Sequence, residues 1–155
     1  MSRIYGLSVL LLSIFIAACS PGADEQDIVT ISVVGTNDVH GALLPEGELG
    51  GLVAFSARVN ALREARKADG GAVLLIDAGD MWQGTLESNL SEGAAVVRVY
   101  NELEVAAAAI GNHEFDFGPE GPRAVPVEAT DDPRGALKQR IREAQFPMLA
   151  ANLID

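Results

Sequence analysis

The sequence predicts an α/β fold built on a mainly parallel sheet. Short β-branched or apolar runs alternate with segments of helical periodicity, in the order β-α-β-α-β-α-β. The first three of these runs each end in a cluster of polar residues and glycine. The composition is globular: 155 residues, 48% hydrophobic and 21% charged, a length typical of one domain.

The elements follow in chain order. Residues 28–34 (IVTISVV) are short and β-branched, which reads as a strand. Residues 50–67 carry Leu52, Phe55, Val59 and Leu62 at three- and four-residue spacing, with Arg58, Arg63, Glu64 and Lys67 elsewhere, the pattern of an amphipathic helix. Gly70 and Gly71 stop it. Residues 72–76 (AVLLI) are wholly apolar, as a buried strand requires. Residues 92–103 read as a second helix. Residues 105–110 (VAAAAI) have helical propensity but run directly into Gly111, and are assigned as a strand. Residues 118–133 hold Pro119, Pro122, Pro126 and Pro133, which leaves a loop. Residues 134–144 read as a helix with Leu137 and Ile141 one turn apart, and 147–152 (PMLAAN) as the last strand. In such sheets chemistry collects at the carboxyl ends of the strands.

The amino-terminal segment reads as an address rather than as fold. Arg3 precedes an apolar or small-residue run over 7–18, too short for a comfortable transmembrane helix. The run ends Ile16-Ala17-Ala18-Cys19, which resembles the lipobox of bacterial lipoproteins. That resemblance implies cleavage before Cys19 and lipidation of its thiol, with residues 1–19 as the signal peptide. The alternative is an ordinary secretory signal cut near Ala18. Cys19 is the only cysteine, so an intramolecular disulfide is impossible. Residues 20–27 (SPGADEQD) read as a linker, and 28–155 as the domain. The expected location is therefore outside the cytoplasm: a lipoprotein on the periplasmic side of a bacterial membrane, by preference the outer one, or a periplasmic protein if Cys19 is unmodified.

The formal net charge of −11 argues against nucleic-acid polymers and anionic lipid surfaces as partners, leaving the lipid anchor as the one membrane attachment. A phosphate-bearing substrate would be repelled too, unless bound cations reverse the local field.

The polar clusters supply candidates for that. The first strand runs into Thr36-Asn37-Asp38-Val39-His40-Gly41. Read as extended backbone, Asp38 and His40 point the same way and form a chelating pair for a divalent metal. The second runs into Asp77-Ala78-Gly79-Asp80-Met81-Trp82-Gln83-Gly84. Gly79 allows a tight turn that places Asp80 to bridge two metals. Asp77 is either a further ligand or a cap on the turn, the cap being the commoner use. Trp82 is expected to pack over the loop rather than to stack on substrate. The third runs into Gly111-Asn112-His113-Glu114-Phe115-Asp116. The Asn112 carbonyl can ligate a metal, His113 is expected to face substrate, and Asp116 lies within reach of His113 if the segment turns. Both histidines of the chain fall in these clusters.

The blocks TNDVHG, DAGDMWQGT and GNHEFDFG, followed by FPMLAANL, resemble the 5′-nucleotidase branch of the calcineurin-like metallophosphoesterases. The resemblance runs over 28–155 and implies the N-terminal half of an αββα sandwich. It implies two divalent ions, Zn²⁺, Mn²⁺ or similar. Asp38 and His40 would hold the first, Asp80 would bridge, and Asn112 would hold the second. His113 would stabilise or protonate the leaving group, Asp116 would orient His113, and Gln83 receives no chemistry. The implied substrate is a small phosphate ester, a nucleotide above all.

The family pattern continues with further histidines, including a G-H-x-H block, and with a nucleoside-binding domain. No histidine follows His113 here. The expectation is a truncated chain whose second metal lacks ligands and whose Leu74, Ile76, Val105 and Ile110 are partly uncovered. Two other readings stand beside the hydrolase: a non-catalytic remnant or metal-binding lipoprotein, and a related branch acting on cyclic nucleotides, nucleotide sugars or sulfur-linked esters.

Overall fold

In the computed structural model, which describes residues 28–151, the chain forms β1 (Ile31–Thr36), α1 (Gly51–Ala68), β2 (Ala72–Asp77), a one-turn α2 (Leu86–Asn89), α3 (Ala94–Glu102), β3 (Ala107–Ala109), a 3₁₀ turn (His113–Phe115), α4 (Gly135–Glu143) and β4 (Met148–Leu149). The signal peptide with Cys19, the linker and Asn152 lie outside the described residues. Among the described residues no helix is long and apolar enough to cross a membrane.

The four strands lie side by side in chain order, β1-β2-β3-β4, and every pair is parallel. Crossovers between parallel strands are overwhelmingly right-handed, so a sheet that always steps the same way collects its helices on one face. The burial agrees. Leu75 and Ala108 are buried against a core that includes Val59 of α1, Tyr100 of α3 and Leu137 of α4. The opposite face carries Ile31, Val33, Leu74 and Ile76 at 61, 62, 41 and 38% exposure. Leu74 and Ile76 are thus uncovered, as expected. Val105 is not: it is buried, and its N–H donates to Tyr100 O to close the end of α3.

The strand ends shift for reasons of pairing. β1 begins later than expected because its partner starts only after the Gly70-Gly71 turn, where Ala72 N–H donates to Thr30 O. It runs on through Gly35 and Thr36, opposite Ile76 and Asp77. β3 is shorter than predicted because Glu104 adopts a left-handed backbone (φ 51°) and Ala106 N–H, bonded to Leu75 O, is the first to join the sheet. The 118–133 segment is a loop, as its prolines require. It is pinned where Asp131 Oδ2 accepts the Val127 and Glu128 amides and Asp132 accepts the Lys138 ammonium.

Candidate metal centre

The loop after β1 does not continue as extended chain. Asp38 and His40 both adopt left-handed backbone, with φ of 50° and 48°. This corrects the extended geometry assumed from sequence. For non-glycine residues it costs about 1–2 kcal/mol each. The strain is held by the neighbouring loop: Asp38 N–H donates to Gly79 O, His40 N–H to Asp80 O and Gly41 N–H to Met81 O, at 3.0, 3.0 and 2.9 Å. The two side chains still converge, with His40 Nε2 3.7 Å from Asp38 Oδ1.

His40 Nδ1 lies 2.9 Å from Gln83 O. A carbonyl only accepts, so Nδ1 carries the proton and Nε2 presents a lone pair. Nε2 and Asp38 Oδ1 are then two acceptors facing each other, an arrangement that suits a cation between them.

In the loop after β2, Asp77 is buried and its oxygens are engaged. Oδ1 accepts Gly79 N–H at 2.8 Å; Oδ2 accepts the Thr36 hydroxyl at 2.6 Å and the Tyr100 hydroxyl at 2.8 Å. Asp77 is therefore the turn cap. Burial, and then the charge of Asp77, push the Tyr100 phenol well above its ordinary pKa, which keeps it a donor. Asp80 is left-handed (φ 58°), and its Oδ1 accepts His113 N–H at 3.0 Å. Glycine is required at 111, because a Cβ there would come within 2.2 Å of that same Oδ1. Trp82 is fully buried and pressed against Gly93, where a Cβ would meet its ring at 2.5 Å. Its role is packing.

The loop after β3 turns at once into the 3₁₀ segment. Asn112 is exposed at its start, and Asn112 O accepts Phe115 N–H. The turn brings Asp116 Oδ2 to 2.5 Å from His113 Nδ1. That bond, aided by the charges of Asp116, Asp80 and Glu114, raises the His113 pKa against an opposing desolvation. His113 does not stand apart from the predicted metal ligands. Donor atoms of His40, Asp80 and His113 all lie within 4.8 Å of one another. Asp38 borders this trio through His40.

The donor set fits one divalent cation. It offers imidazole nitrogen and carboxylate oxygen from three loops, with the His40 tautomer fixed by a carbonyl. A second cation would have Asp80 and Asn112 alone from the predicted ligands.

Two participants escape sequence reading. Gln83 acts through its backbone carbonyl, which leaves no side-chain signal. Glu114 is 1% exposed. Its Oε2 accepts Asp80 N–H at 2.9 Å and Gly111 N–H at 2.7 Å, and its Oε1 accepts Met81 N–H at 2.7 Å. Burial raises its pKa, although the three amides oppose this. The only cue was its place beside His113 in a tight turn, where adjacent side chains diverge.

No protein-family model matches the chain. Among curated proteins, UshA of Escherichia coli strain K12 is 36% identical over 96% of this chain and 25% of its own length. Human 5′-nucleotidase is 34% identical over 79% of this chain and 20% of its own. Among solved structures, the NAD nucleotidase of Haemophilus influenzae superposes with a TM-score of 0.60 at 29% identity, covering 79% of this chain and 20% of that one. The chain thus spans about a quarter or less of the length of the relatives it matches. Sequence and fold together make the chain similar to the N-terminal part of 5′-nucleotidases, in line with the resemblance read from its motifs.

Proposed function

We propose that this chain carries the first part of a metal-dependent phosphoric ester hydrolase acting on nucleotide phosphates. The observation that supports it best is the convergence of His40, Asp80 and His113 within 4.8 Å, with Asp116 on the far nitrogen of His113. Asp38 and His40 would hold one divalent ion, Asp80 would bridge, and Asn112 would reach a second. Zn²⁺ or Mn²⁺ suits these donors. Such ions, when bound, neutralise phosphate charge and make a bound water acidic enough to attack phosphorus.

The chain's own residues supply the rest. Gln83 O keeps the His40 lone pair on Nε2. Asp116 holds the proton of His113 Nδ1 and favours the imidazolium, which leaves Nε2–H as the acid for the departing oxygen. Asp80 fixes the His113 backbone by accepting its amide.

For the 155-residue chain, turnover of AMP or p-nitrophenyl phosphate with added Mn²⁺ or Zn²⁺ is expected to be negligible, because the second ion has too few ligands. Robust turnover that vanishes in His113→Ala would overturn that expectation. The gene downstream is the second test. Continuation with further histidines, including G-H-x-H, supports the hydrolase. A clean stop favours the other reading, a metal-binding lipoprotein without catalysis, which the same ligand count supports. We infer export with a lipid on Cys19. Cys19→Ser should then abolish palmitate labelling and release the protein from membranes, and labelling that persists would refute the anchor.

A further inference from the structure

Asp80 and His113 belong to different strand-end loops, yet the proposed site needs them side by side, Asp80 on the ion and His113 beside it. Nothing in the sheet guarantees that. β2 and β3 pair only at Ile76–Ala107 and Asp77–Ala108, so the ladder ends before either loop begins. Beyond it the two loops are joined by side chains. Asp80 reaches across to the His113 amide. Glu114 reaches back to the amides of Asp80 and Met81 while holding Gly111 in its own loop. The clasp is reciprocal, and its larger half is one carboxylate with almost no solvent contact.

We infer that Glu114 is a positioning residue, the carboxylate that sets the second and third strand-end loops in register so that Asp80 meets the cation with His113 beside it. The inference rests on the metal reading of the site, and the geometry commits it to a specific chemistry. All three partners of Glu114 are backbone donors. A carboxylate is an acceptor only and satisfies them together. A glutamine of the same shape cannot. With its oxygen toward Asp80 and Gly111, its NH₂ confronts the Met81 N–H; turned over, it confronts the other two. An aspartate is one methylene short of spanning both loops. The Asp80 N–H is also the amide of a left-handed residue, so this bond holds a backbone conformation that is unfavourable on its own.

The test pairs residue-level amide exchange with Mn²⁺ calorimetry on the 155-residue chain. In Glu114→Gln, either Met81 or the Asp80 and Gly111 pair should exchange faster, while α1 and β2 keep their protection. Mn²⁺ affinity should fall by about 10- to 100-fold, the range for lost outer-shell partners of a metal. Val59→Ala, which weakens the core from α1, is the control, and it should lose stability without that loss of affinity. Uniformly faster exchange, unchanged loop exchange, or an affinity loss no greater than that of Val59→Ala would each overturn the inference. If Glu114→Gln does not fold, Gly111→Ala serves, because its Cβ drives the loops apart at Asp80 Oδ1. Wild-type affinity and loop exchange in that variant would overturn the inference equally. A wild-type chain that takes no Mn²⁺ counts against the metal reading, and the exchange arm then decides the clasp alone.

Discussion

The imidazole of His40 meets that of His113 edge-on, with ring centroids 5.0 Å apart and planes at 73°. The rings come from the first and third strand-end loops, and Asp80 of the second loop completes the trio. Asp80 also accepts the His113 amide, whereas Asn112 stands exposed at the start of its turn. Asp80→Ala should therefore reduce Zn²⁺ or Mn²⁺ affinity by more than about 100-fold, beyond the usual effect of an outer-shell change. Asn112→Ala should cost less. Calorimetric titration of both variants checks the order, and the reverse order would refute the bridging role proposed for Asp80.

Tyr100 tests the support beneath the second loop. Its hydroxyl donates to buried Asp77, which also caps Gly79. Tyr100→Phe removes one donor from a charged acceptor and leaves Thr36 in place. The expected loss is about 1.5–3 kcal/mol in urea unfolding. A neutral result would mean that Asp77 is satisfied without it.

Leu74 and Leu75 are neighbours on opposite faces, 41% and 1% exposed. Leu75→Ala should cost about 2–5 kcal/mol, because it opens a cavity in the core. Leu74→Ser should cost about 1 kcal/mol or less, as for a surface change. Equal losses in chemical unfolding would show that the Leu74 face is covered in solution.

The 118–133 loop should loosen in acid. The amides of Glu128 and Val127 hold Asp131 below its ordinary pKa, and the Lys138 bond does the same for Asp132. A carboxylate depressed in the folded state contributes stability above its unfolded pKa, near 3.9, and loses it as pH falls through the folded value. Amide protection at Val127 and Glu128, relative to the intrinsic exchange rate at each pH, should fall only below about pH 4. Protection lost already at pH 6 would point to another group.

The alternation of elements and the gathering of the candidate residues at the strand ends were legible because both follow from local pattern. Residues 72–76 are apolar throughout, and Asp38, Asp80 and Asn112 each follow a strand. The conformations within the clusters were not legible. Asp38, His40 and Asp80 are left-handed without being glycine, a state held by neighbouring loops that no short window of sequence contains. Glu114 was hidden for a related reason: a carboxylate buried on backbone amides looks the same in sequence as a solvated one.

The loop contacts have one more consequence, for folding. His40 and Gln83 lie 43 residues apart in the chain, and Asp80 and His113 lie 33 apart. A cation held by all three loops would act as a reversible cross-link spanning two crossovers, with no counterpart in the unfolded chain. Occupancy would then be written into the melting curve. An ion at 100 times its Kd adds about 2.7 kcal/mol to the folded state, so the midpoint should climb with each increment of free metal.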